Sequence, residues 1–176
     1  MDAGIFLRRG SQEMGKPARH RIYRYVLAGG LLAGVLDLVY ICTLWSFKGV
    51  GPVRILQSVA AGWTGREAAI AGGAGTALLG LVSHFAIAIT MACTYFLASR
   101  RWDALVRRPW LYGAFYGVML YVVMNYAVVP LSAAGSGQAQ AWQWINLAHI
   151  AAHMLLVGIP CALAARYARG MASNGG

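Results

Sequence analysis

Acidic residues are nearly missing from this chain: 5 Asp and Glu stand against 15 Lys and Arg, and charged residues make up only 11% of its 176 positions. Soluble domains carry about 25% charged residues, so a water-exposed globular surface is excluded. Cysteine is scarce as well. Cys42, Cys93 and Cys161 all fall in apolar segments, and an odd set in such places gives no disulfide framework; they read as small packing residues. A cleavable leader is not expected, because the first apolar run starts after residue 24, is too long for a signal h-region and has no cleavage site behind it. Arg8-Arg9 lies too far from that run for a twin-arginine signal.

Several catalytic arrangements are lacking too. His149-Ile-Ala-Ala-His153 has no Glu after its first His, which a zinc protease uses as general base. Ser83 and His84 are adjacent and point in different directions on a helix, which removes a serine–histidine dyad. Gly73-Ala-Gly75 lies inside an apolar segment rather than after a soluble strand, so it is no dinucleotide loop. No motif dictates a reaction, and the chain reads as a non-enzyme.

What the chain has is apolar length. Hydrophobic residues are 59% of it, and a spanning helix needs about 20 of them in sequence. Four stretches qualify, at 25–47, 68–98, 109–131 and 141–165. The expected fold is all-α, an antiparallel transmembrane four-helix bundle over 25–170, with a basic tail at 1–24 and a flexible end at 171–176.

The net charge of +10 is distributed as a topology signal, not as a nucleic-acid patch with interleaved aromatics. Arg8, Arg9, Lys16, Arg19, Arg21 and Arg24 precede the first span, Arg100, Arg101, Arg107 and Arg108 follow the second, and Arg166 and Arg169 end the fourth. The opposite side has only Lys48, Arg54 and Arg66, and 132–140 is uncharged. Both termini are therefore expected in the cytoplasm, with the tail held near anionic lipids at about 1 kcal/mol per basic residue. Tryptophan favours the interface: Trp45, Trp63, Trp142 and Trp144 fall at the outer boundary, Trp102 and Trp110 at the inner.

Between the first two spans, Gly51-Pro52 through Gly62-Trp63 reads as a short interfacial or re-entrant helix that sets Arg54, Gln57 and Ser58 against Ile55, Leu56 and Val59. Thr64-Gly-Arg-Glu67 matches a capping box opening the second span.

Each span pairs small residues at four-residue spacing with a polar residue. Gly30, Gly34 and Asp37 share a face of the first; Gly72, Thr76, Gly80 and His84 form a row on the second; Gly113, Gly117, Tyr121 and Asn125 do so on the third. The fourth puts Asn146, His149, His153 and Pro160 roughly on one side. Such glycine faces pack within a bundle or between copies, leaving a homo-oligomer or a larger membrane complex open. An ionisable residue at mid-membrane costs about 2.5–3.5 kcal/mol and is by default a functional hypothesis. A single buried histidine is more often satisfied core, and Asp37 has an equally plain reading as acceptor for His84 or Tyr40. Taken together, Asp37, His84, His149 and His153 are an expected set of transition-metal ligands or a proton or ion relay, supported by Asn125, Asn146, Tyr40 and Tyr121. A haem held by His84 facing His149 or His153 is an alternative, as is a structural accessory subunit. Arg54 is within the range of residues that would lock Asp37 ionised.

The combination of Gly30-xxx-Gly34-xx-Asp37, Pro52-xx-Ile-Leu-Gln-Ser58, Gly80-xxx-His84-Phe85, Tyr116-Gly117, Met124-Asn125, Pro130-Leu-Ser132 and the closing histidine helix resembles small bacterial inner-membrane proteins and is distantly similar to the YagU type. The resemblance covers roughly residues 25–168. It implies a bacterial inner-membrane location and carries no ligand or reaction.

Overall fold

The computed structural model describes residues 16–135 and 142–173, so Arg8, Arg9, residues 136–140 of the outer loop and the end of the 171–176 segment lie outside the described residues. Helices α1 (Lys16–Ser46), α2 (Pro52–Thr64), α3 (Arg66–Ala71), α4 (Gly73–Arg101), α5 (Ala104–Arg107) and α6 (Pro109–Leu131) follow in order. Helix α7 then continues through Ile145–Ala152, His153–Gly158 and Ile159–Ser173. Four segments are long and apolar enough to cross a membrane: Arg21–Ser46, Gly73–Arg101, Pro109–Leu131 and Ile145–Gly170. The architecture is that of an all-α multi-pass membrane protein, as composition and run length require.

Neighbouring spans run antiparallel. Gly30 meets Ile89 while Gly34 meets Phe85, so numbers rising along α1 fall along α4. Gly29 faces Ala164, and Tyr25 stacks on Tyr167, which gives the same sense between α1 and α7. Gly113 lies against Ile159 and Gly117 against Met154, antiparallel again. Helix α7 is central, touching α1, α4 and α6; 39% of its apolar window is buried against 17% for α6, which borders the rest of the bundle mainly through α7. Helix α6 also reaches α4, where the Tyr116 hydroxyl donates to the Met91 carbonyl at 2.8 Å and its ring packs edge-on to Tyr95.

The core is built from small residues at these crossings: Ala33, Ala92, Cys161, Ala162, Ala165 and Ala168 are almost fully buried, with Val26, Tyr95, Leu120 and Val157 filling the gaps. Without a hydrophobic drive between helices in lipid, close approach of small residues is what holds spans together. The end bearing the short α5 is clasped by polar contacts. Arg169 forms an ion pair with Asp103 at 2.7 Å and also donates to the Ser99 carbonyl, and the Tyr95 hydroxyl donates to the Leu105 carbonyl at 3.0 Å.

Three local expectations are corrected. The second span starts at Gly73, not at 68, because Gly72-Gly73 breaks the helix with Gly73 at φ +56°, leaving α3 separate. The Thr76 hydroxyl sutures that break by bonding the Ala69 carbonyl at 2.5 Å. The capping box is absent: the N-cap of α3 is Gly65, with no side-chain cap, and Thr64 turns back to the Ala60 carbonyl at the end of α2. Gly65, at φ +81°, is also what closes α2, rather than Gly62.

Helix α2 turns its expected apolar side inward, with Ile55 buried, Leu56 and Val59 half-buried and Arg54 and Ser58 exposed, but Gln57 is buried against expectation. Gln57 is buried with Ile55, Ala60 and Ala61, and its amide nitrogen donates to the Gly73 carbonyl at 3.0 Å. Six residues on, the Trp63 indole N–H donates to the Ser83 hydroxyl at 3.1 Å. The Leu56 backbone rests directly on Gly80. The buried amide is satisfied by that bond, and the Gly73 carbonyl, which also accepts from the Thr76 hydroxyl at 3.1 Å, ties α2 to the α3–α4 break.

Candidate functional site

A cavity of about 230 Å³ lies between α1, α2, α4, α6 and α7. Its polar wall is Asp37, His84, Asn125 and His153, one residue from each spanning helix. Asp37 is about 20 Å along α1 from Arg24 at 1.5 Å per residue, which sets the cavity in the half of the bundle away from the basic α5 turn. The apolar wall includes Val59 of α2, Ile87 and Met91 of α4, and Met124 and Val129 of α6.

Two local features deliver the residues from α6 and α7. Each helix carries a π-type stretch, Met124–Val128 and His153–Gly158, where Val129 N–H bonds the Met124 carbonyl and Ile159 N–H the Met154 carbonyl. Each stretch ends two residues before a proline, Pro130 or Pro160. Proline has no N–H and crowds the preceding turn, and widening that turn to a five-residue closure relieves both problems. Such turns are frequent at functional sites. Here Met124, Asn125, His153 and Val157, all within them, line the cavity. The sequence signal for these turns is the pair of prolines, Pro130 and Pro160, inside apolar segments.

Hydrogen bonds fix how the polar wall is presented. The His84 Nε2–H donates to the Gly34 carbonyl at 2.9 Å. The His153 Nδ1–H donates to the His149 carbonyl one turn back at 3.0 Å, while its ring packs edge-on to Tyr121. The Asn125 side-chain nitrogen donates to the Tyr121 carbonyl at 2.9 Å. A carbonyl oxygen only accepts, so each of these groups has spent a donor on the backbone. Asp37 makes no hydrogen bond or ion pair among the described residues. Neither His84 nor Tyr40 donates to it, and Arg54 does not pair with it, contrary to the structural readings of the sequence.

His149 is not on the cavity wall. It pairs with the Tyr40 hydroxyl, 3.3 Å from its Nδ1, with the rings edge to face at 5.8 Å. Asn146 is buried at 6% exposure and Tyr121 at 3%, whereas Asp37, Tyr40, His84, Asn125, His149 and His153 are only half-buried, so the histidines are not the enclosed core group expected.

The four-donor metal set is not assembled. Among the described residues no three His, Cys, Asp or Glu side chains come together closely enough to hold a metal ion. The reason is geometric: His149 turns away to Tyr40, and the remaining side chains Asp37, His84 and His153 do not converge on one point. Haem does not fit either. The cavity, at about 230 Å³, is smaller than the roughly 300–1,000 Å³ of sites for drug-sized ligands. Ser83 and His84 do point apart as their spacing requires, one to Trp63 and the other to Gly34.

No protein-family profile, no curated protein and no solved structure matches this chain.

Proposed function

We propose that the chain is a bacterial inner-membrane protein with both termini cytoplasmic, and that its working part is the cavity at Asp37, which binds a cation or relays protons. The orientation rests on the basic residues at one end of the spans and their scarcity at the other. The site rests on one observation: the sole carboxylate in the four spans faces a cavity and has no hydrogen-bond or ion-pair partner among the described residues. A lone carboxylate at membrane depth costs several kcal/mol unless water, a proton or a cation compensates it. Tyr40 and His149, one turn outward, extend the polar file toward the end with few charges.

An apolar carbodiimide tests this directly, because it reaches carboxyl groups from the lipid side. Peptide mass mapping is expected to find Asp37 modified, and more slowly in the presence of a bound cation. An unreactive Asp37, or a rate indifferent to every cation and to pH, sinks the reading in favour of a structural accessory subunit. Stoichiometric haem or transition metal in the purified protein would overturn it in the other direction.

A further inference from the structure

The acceptors and donors around the cavity are out of balance, and the imbalance says what the ligand must bring. His84 and His153 each direct one ring N–H to a backbone carbonyl. As neutral imidazoles they keep a bare nitrogen, Nδ1 on His84 and Nε2 on His153, which only accepts. Asn125 has placed its nitrogen on the Tyr121 carbonyl and keeps its amide oxygen. Asp37 adds two carboxylate oxygens, and Met91 and Met124 add weakly accepting thioethers. Among the described residues no lysine, arginine or hydroxyl group lines the cavity, and the second Asn125 amide hydrogen is the one side-chain donor left there. An anion or a carbonyl ligand would therefore meet acceptors facing acceptors. A bare alkali ion satisfies the charge but leaves most of the volume empty, since about 230 Å³ equals seven or eight water volumes. The remaining wall is hydrocarbon, from Val59, Ile87, Ala88, Val129 and Val157.

We infer that the cavity is a binding site for a small protonated amine, whose ammonium N–H groups face Asp37, His84, Asn125 and His153 and whose short alkyl part lies against the apolar wall. The inference rests on the cation reading of Asp37 given above and names the class of cation. Charge-assisted hydrogen bonds to the carboxylate supply most of the affinity. The alkyl part contributes in proportion to the area it takes from water.

The test uses the full chain in detergent micelles and follows thermal unfolding by intrinsic tryptophan fluorescence. The probes are n-propylammonium, its neutral counterpart n-propanol, propyltrimethylammonium, which has the charge without N–H donors, and sodium. A ligand that binds only the folded state raises the midpoint saturably, and propylammonium is expected to do so most strongly. Asp37→Asn should weaken that response by roughly tenfold or more in concentration. Val59→Phe keeps every polar group and fills the alkyl side of the cavity, so it too should lose the response even if Asp37→Asn folds poorly. A response to propanol equal to that for propylammonium, or one unchanged in both variants, overturns the inference. If Asp37 takes the carbodiimide yet no alkylammonium moves the midpoint, the ligand class is wrong and the cation reading stands. If the carbodiimide leaves Asp37 untouched, both fall.

Discussion

His84 of α4 donates its Nε2–H to the backbone carbonyl of Gly34 in α1, 2.9 Å away across the contact between the two helices. The approach is open because residue 34 is glycine: a Cβ there would sit 2.8 Å from the Phe85 ring and 3.2 Å from the Ala88 methyl. The glycine and the histidine, which read as separate features of two spans, are thus one device. It fastens α1 to α4 and at the same time fixes which nitrogen of His84 is left for the cavity.

Replacing that bond with an apolar ring isolates its contribution. His84→Phe keeps the volume and loses the donor, and interhelical hydrogen bonds in membranes average about 0.6 kcal/mol with a maximum near 1.7. Reversible unfolding in mixed micelles should show a loss in that range. No loss would mean that the bond is not made in the folded protein.

Gly30 and Gly75 should behave in opposite ways although both are helical glycines. A Cβ on Gly30 would lie 2.7 Å from the Ile89 Cα and 3.2 Å from the Ala88 carbonyl, backbone that moves only if the helices part. Gly30→Val is expected to cost about 1–3 kcal/mol or more. Gly75 has open space around its Cβ position, so Gly75→Ala should be neutral or slightly stabilising. Equal effects in the same unfolding assay would refute the packing described for α1 and α4.

Gly80 carries the docking of α2. Any side chain there runs into the Leu56 carbonyl, so Gly80→Leu should lift α2 off α4 without unfolding the spans. Hydrogen exchange mapped by mass spectrometry is the readout. Faster exchange confined to Pro52–Thr64 is expected, and an unchanged α2 would contradict the contact.

Orientation can be read with fusions. A periplasm-dependent reporter joined after Gly135 should be active, and one joined after Arg107, in the basic turn, inactive. A Gly135 fusion that reports from the cytoplasm reverses the proposed topology.

Much of the fold was legible because membrane spans are written in long, local terms. Few charges, apolar runs of sufficient length and basic residues gathered at alternate connections describe four crossing helices without any tertiary information. The polar residues were legible as a set for the same reason, since Asp37, His84, Asn125, His149 and His153 stand out in apolar segments. Their partners were not. A hydrogen bond from a side chain to a backbone carbonyl leaves no trace in residue type, because every residue carries that carbonyl. His84 therefore turned out to serve Gly34, His153 the carbonyl of His149, and Asn125 that of Tyr121.

Residue types and their spacing thus determined the class of the protein, the number of its spans and which side chains stand out within them. Tertiary structure decided which of those side chains meet. It divided an expected four-donor metal cluster into the Tyr40–His149 pair and a cavity wall of Asp37, His84, Asn125 and His153. The physical reason is that helical spacing sets only the face on which a residue lies. Its rotation toward one neighbour or another is set by where glycines let backbones approach and where Pro130 and Pro160 widen the helices that carry the site.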